Sequence, residues 1–133
     1  MFSIKIFALA LVVFLVIDAV WLLGISQGLY QRAIGFLMPE KVNLLAALGA
    51  YVLLALGLAV FVIVPGIRSG ASIGHIALMG ALFGLIGYGV YDFTNLATIK
   101  GWPLWISIVD MGWGTVVSSL TTAVTVYLVK LLF

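Results

Sequence analysis

The chain has no cysteine, one histidine and four acidic side chains in 133 residues, and only 8% of its residues are charged. Soluble domains carry about 25%. Without cysteine there is no disulfide, no thiolate metal site and no Cys nucleophile, and the redox compartment is left unconstrained. The solitary His75 offers no pair for zinc and no Ser-His-Asp set. Neither a glycine-rich phosphate loop nor a nucleophile elbow is present. Six Lys and Arg are scattered to a formal charge of +2, so there is no basic patch and nucleic acid is excluded as a partner. No Gly/Ser linker, low-complexity tract or long repeat divides the chain, which reads as one domain over 1–133.

What is there is hydrocarbon. Hydrophobic residues make up 65% of the chain and gather into runs long enough to cross a bilayer, which takes about 20 residues. The runs predict four transmembrane helices, at about Ser3 to Gly24, Asn43 to Val64, Ile73 to Asn95 and Pro103 to Leu132. Pro65-Gly66 is expected to end the second, and Pro103 to occupy the first turn of the fourth. Lys5 before an apolar run imitates a signal peptide, but no small-x-small cleavage site follows, so the first helix is expected to be retained. Between the first two spans, "SQGLYQRAIGFLMPEKV" places Leu29, Ala33, Ile34 and Leu37 on one helical face and predicts a short interfacial helix. The fold class is therefore all-α: a four-helix antiparallel bundle with both termini on one side. Lys5, Arg68 and Lys130 lie on that side and Arg32, Lys41 and Lys100 on the other, so the positive-inside rule gives no more than a lean towards cytoplasmic termini.

The polar residues are few and clustered. Asp18 and Asp110 each lie roughly 10 Å inside a span at about 1.5 Å per residue. Asp92 is expected in the last turn of the third helix, with Asn95 one turn beyond and Lys100 in the loop. All three carboxylates share one leaflet. "DAVW" and "DMGW" each place an indole, Trp21 or Trp113, on the same face as an acid. Gly80, Gly84, Tyr88, Asp92 and Asn95 form one stripe on the third helix; Asp110, Gly114, Ser118, Thr122 and Thr125 form another on the fourth. Small and hydroxyl residues at this spacing let membrane helices approach closely, so these faces should pack together through Gly80, Gly84 and Gly114. Asp18 would come from the first helix, and the second would serve as scaffold. Trp102 and Trp105 read as interfacial anchors. His75 falls about 25 Å of helix away from Asp92.

The segment "YDFTNLATIKGWPLWISIVDMGWGT", together with "IDAVWLLG" in the first helix, resembles the bacterial membrane-protein family catalogued as domain of unknown function 2177. The resemblance rests on Tyr91, Asp92, Thr94, Asn95, Ala97, Thr98, Trp102, Pro103, Asp110, Trp113 and Gly114 and extends over the whole chain. It implies a multi-pass protein of the bacterial inner membrane and is silent on chemistry.

Carboxylates in a low-dielectric site need a counterpart, because like charge and desolvation both disfavour ionisation. Protons, a metal or sodium ion, Lys100, indole N–H groups or a ligand could serve. The expectation is a polar pocket of Asp18, Trp21, Tyr88, Asp92, Asn95, Lys100, Asp110, Trp113 and Ser118 that takes a lipid-like or small-molecule ligand or a cation. If Asp18, Asp92 and Asp110 hold a metal, oxygen ligands favour a hard one such as Mg²⁺. No motif indicates a cofactor. The alternatives are an oligomeric proton-coupled transporter and a non-catalytic membrane partner, with the bilayer itself as the first partner and homo-oligomers as a further one.

Overall fold

The computed structural model describes residues 2–133 and is helical almost throughout. Helix α1 (Phe2–Val20) is followed by a π-helical turn, Trp21–Ile25, in the same span. Its buried face steps by four: Ile6, Ala10, Phe14, Asp18. That register aims Asp18 at the bundle interior. Ser26 closes the span by giving both its N–H and its hydroxyl to the Trp21 carbonyl, and Gly28, at φ 90°, turns the chain back. This left-handed conformation is open to glycine at little cost.

The short helix α2 (Leu29–Ile34) and the 3₁₀ turn Gly35–Leu37 follow, with Ala33 buried against the bundle. Asn43 then caps α3 (Leu44–Leu58), its side-chain oxygen accepting from Ala46 N–H at 3.1 Å. A second π-helical turn, Ala59–Ile63, leads into α4 (Val64–Arg68). The second span thus runs from Leu44 to Arg68, and Pro65-Gly66 does not end it. Proline lacks the N–H and crowds the carbonyl four residues back, and the wider π turn just before it makes room for both defects.

Ser72 caps α5 (Ile73–Thr98) by accepting from His75 N–H, and α5 extends three residues past the expected Asn95. Asp92 therefore lies within the helix and not in its last turn. Pro103 is the residue before α6 (Leu104–Leu132), extended at ψ 137°, and not its first helical residue.

Helices α5 and α6 make the tightest pairing. Gly80 lies against Thr122, Gly84 against the Gly114 backbone and Ser118, and Gly114 against Tyr88. Missing Cβ atoms bring the two backbones together where dispersion is strongest. The Lys5 ammonium sits 5.1 Å from the centroid of the Phe133 ring, so the two termini share one end. The apolar core, built on Ile6, Phe14, Leu58, Ile63, Ile76, Val117 and Val126, fills the half of the bundle that holds the termini. The other half holds Asp18, Asp92 and Asp110, while the buried hydroxyls of Thr121, Thr122 and Thr125 lie with the apolar core. Outside, Val16, Leu53, Phe61, Leu78, Val90 and Ile108 are exposed, the outward-facing hydrocarbon that a bilayer solvates.

Candidate functional site

Asp18 and Asp110 sit on different helices, and each is satisfied by an aromatic side chain from another element. Trp113 on α6 donates its indole N–H to Asp18 Oδ1 at 2.8 Å. Tyr51 on α3 donates its hydroxyl to Asp18 Oδ2. Tyr30 on α2 donates to Asp110 Oδ1 at 2.8 Å and accepts from the Trp21 indole N–H at 3.2 Å. The two Asp-x-x-Trp pairs therefore work across helices, since Trp113 serves the aspartate of α1 and not its own neighbour Asp110. Their indoles stack, with centroids 4.4 Å apart and planes within 7°. That stack locks the end of α1 onto α6.

These groups frame two adjoining chambers. A cavity of about 190 Å³ is walled by Asp18, Asp110, Trp21, Trp113 and the rings of Tyr30, Tyr51 and Tyr88. A larger one, about 500 Å³, shares Asp18, Asp110, Tyr51 and Tyr88 and continues between Ala47, Ala50 and Leu54 of α3 and Gly87 and Tyr91 of α5. The short side chains of Ala47, Ala50 and Gly87 leave the space between α3 and α5 unfilled there. Every other wall residue is an acid, an aromatic or an aliphatic, and among the described residues no Lys, Arg or His lines either chamber.

Asp92 lies elsewhere. It is 0% exposed, and neither carboxyl oxygen has a hydrogen-bond partner among the described residues. It lines a third cavity of about 50 Å³ with Tyr30, Ile34, Tyr91, Trp102, Ile106 and Asp110. Asp110 is thus the wall shared by the third cavity and the other two. The three aspartates do not converge on one metal: among the described residues no three Asp, Glu, His or Cys side chains are grouped to hold one. A cleft of about 310 Å³ near the opposite end is lined by hydrocarbon apart from Ser3 and Arg68.

Of the residues expected in the pocket, Asp18, Trp21, Tyr88, Asp110 and Trp113 meet in one chamber, and Asp92 reaches Asp110 from the other side. Asn95 is half-buried and lines none of these cavities; Lys100 is exposed in the turn after α5. Ser118 is buried in the α5–α6 seam beside Gly84. Trp102, expected as an interfacial anchor, is half-buried and donates to Ser107 Oγ at 2.9 Å.

Two site residues were not anticipated. Tyr51 makes the second span more than scaffold, and its signal was rarity: it is the only polar side chain between Asn43 and Arg68. Tyr30 shares the spacing of Ala33, Ile34 and Leu37 and is half-buried, as Leu29 is, so the first turn of α2 brings a hydroxyl to the bundle as well. Burial first, and then the negative field of Asp110, hold the Tyr30 phenol well above the usual tyrosine range.

No curated protein and no solved structure matches the chain. A family model does, over residues 3–127, under the description of a predicted membrane protein, domain of unknown function 2177. With four helices long and apolar enough to cross a bilayer and a match over nearly its whole length, the chain is an integral membrane protein belonging to that family.

Proposed function

We propose that the paired chambers bind an amphiphile whose head group is cationic or rich in hydrogen-bond donors. The observation that carries this reading is the pair Asp18 and Asp110 on the wall of an apolar crevice of about 500 Å³ between α3 and α5. Asp18 and Asp110 are 6% and 9% exposed, with no basic side chain beside them in either chamber. A ligand ammonium or hydroxyl group would supply the missing complement by hydrogen bonds to the carboxylates. The stacked Trp21 and Trp113, with Tyr51 and Tyr88, add ring faces that attract a cation at close range. The hydrocarbon part would lie along Ala47, Ala50 and Leu54 and enter sideways from the bilayer. Anionic head groups would meet repulsion from both acids.

The test is native mass spectrometry of the protein released from mild detergent, comparing wild type with Asp18→Asn and Asp110→Asn at matched thermal stability. An amine- or hydroxyl-bearing amphiphile bound to wild type and lost from both variants is the expected result. Wild type with no bound species, or with a species retained by both variants, would overturn the pocket and leave the acid–aromatic bonds as structural links between helices.

A further inference from the structure

The third cavity poses a separate problem. Asp92 is fully buried with both oxygens unpartnered, a condition that costs several kcal/mol for a charged group unless something fills the space. Its neighbours fix the wall and leave the carboxyl unsatisfied. Ser107 Oγ donates to the Asp92 main-chain oxygen at 3.3 Å, Trp102 holds Ser107, and Trp102 meets Tyr91 edge to face with centroids 6.3 Å apart. Across the cavity stands Asp110, of which one oxygen, Oδ1, accepts from Tyr30.

We infer that Asp92 and Asp110 together hold one hard divalent cation of the Mg²⁺ or Ca²⁺ class. Charge is the first argument: two carboxylates line the cavity and no Lys, Arg or His does, so a doubly charged ion makes the site neutral. Donor type is the second, since carboxylate oxygens are hard ligands. Size is the third: about 50 Å³ against roughly 10–15 Å³ per water admits one ion with two or three waters. Mg²⁺ is commonly held by one or two carboxylates and keeps water as its remaining ligands, so a third acidic side chain is not required. The site goes beyond the amphiphile pocket and does not depend on it; the two share Asp110, so with the cation bound Asp18 is the carboxylate left to set the charge preference of the chamber.

Terbium is the probe, because it occupies Ca²⁺ sites and emits when excited through nearby aromatic rings, here Trp102, Tyr30 and Tyr91. The full chain in an uncharged detergent is stripped with EDTA and titrated with Tb³⁺. Saturable emission of one equivalent, displaced by Ca²⁺ or Mg²⁺ and weakened at least tenfold by Asp92→Asn but not by Asp18→Asn, is expected. Absence of saturable emission, or emission indifferent to Asp92→Asn in a folded variant, would overturn the site. Where Asp92→Asn does not fold, the wild type decides: its Tm should rise with the logarithm of Mg²⁺ or Ca²⁺ concentration and not with Na⁺. A flat response to all three would overturn the site and leave protons as the neutralising species. Loss of the cation with the bound amphiphile intact would leave the pocket reading standing.

Discussion

Replacing Asp18 by Ala should cost about 2 kcal/mol of bundle stability, and the structure says where that comes from. The carboxylate is 6% exposed and accepts from Trp113 and from Tyr51. Its removal strands two half-buried donors, each worth about 1–3 kcal/mol when fully orphaned. In a membrane the unfolded helices also find partners, which lowers interhelical hydrogen bonds to about 0.6 kcal/mol on average and about 1.7 at most. Two such bonds, less the relief of not burying an acid, give the figure of about 2. Asn at position 18 keeps an acceptor oxygen and should cost under about 1 kcal/mol. The assay is reversible unfolding in mixed micelles followed by helical circular dichroism, run as a double-mutant cycle of Asp18→Ala with Trp113→Phe. A coupling near 1 kcal/mol is expected; additivity within about 0.3 kcal/mol would show that the bond contributes nothing and refute the reasoning.

Gly84→Leu should separate α5 from α6, because a side chain there meets the Gly114 backbone, which cannot rotate away; unfolding in mixed micelles should show a loss of about 1–3 kcal/mol or more, while Gly112→Ala, with open space around it, should be neutral. Gly28→Ala should cost about 1 kcal/mol through its φ of 90° alone, and a smaller loss than for Gly74→Ala in the same unfolding assay would refute the strain. Burial and Asp110 raise the Tyr30 phenol from 10.0, so the folded state keeps its proton where the unfolded state has lost it; its contribution to stability is intact below about pH 10 and falls as pH rises beyond. In an ultraviolet titration, the wild-type minus Tyr30→Phe difference should show no phenolate step near pH 10, and a step there would contradict the half-buried Tyr30–Asp110 bond.

The spans were legible because bilayer thickness imposes a length that composition alone can satisfy. The α5–α6 seam was legible too, since glycine at steps of four has few other uses in an apolar helix: Gly80 and Gly84 lie against Thr122, Gly114 and Ser118. The end of the second span was misread because Pro65 is disruptive only when the preceding turn is a regular α turn, and the π turn Ala59–Ile63 removes that condition. Helix ends are otherwise hard to read in such a chain, as α5 continuing to Thr98 illustrates.

Within the site, depth placed the aspartates in one leaflet, but depth does not say which donor finds which acceptor. The i to i+3 spacing paired Trp113 with Asp110, whereas the helix faces pair it with Asp18. That crossing depends on how far α1 rotates against α6, which no local pattern encodes. The partition of the three acids between the paired chambers and the third cavity has the same origin: Asp92 is separated from Asp18 by the position of Asp110, a property of packing and not of spacing.

Under the proposed function, the Asp18–Asp110 chamber selects a head group by charge. The most direct measurement is a tryptophan-fluorescence titration of the detergent-solubilised protein with three amphiphiles of equal chain length, ending in an amine, a hydroxyl or a carboxylate. Saturable binding is expected in the order amine, hydroxyl, carboxylate, with the amine at least tenfold tighter than the carboxylate and that preference abolished by Asp18→Asn with Asp110→Asn. Equal affinity for the amine and the carboxylate in the wild type would contradict it.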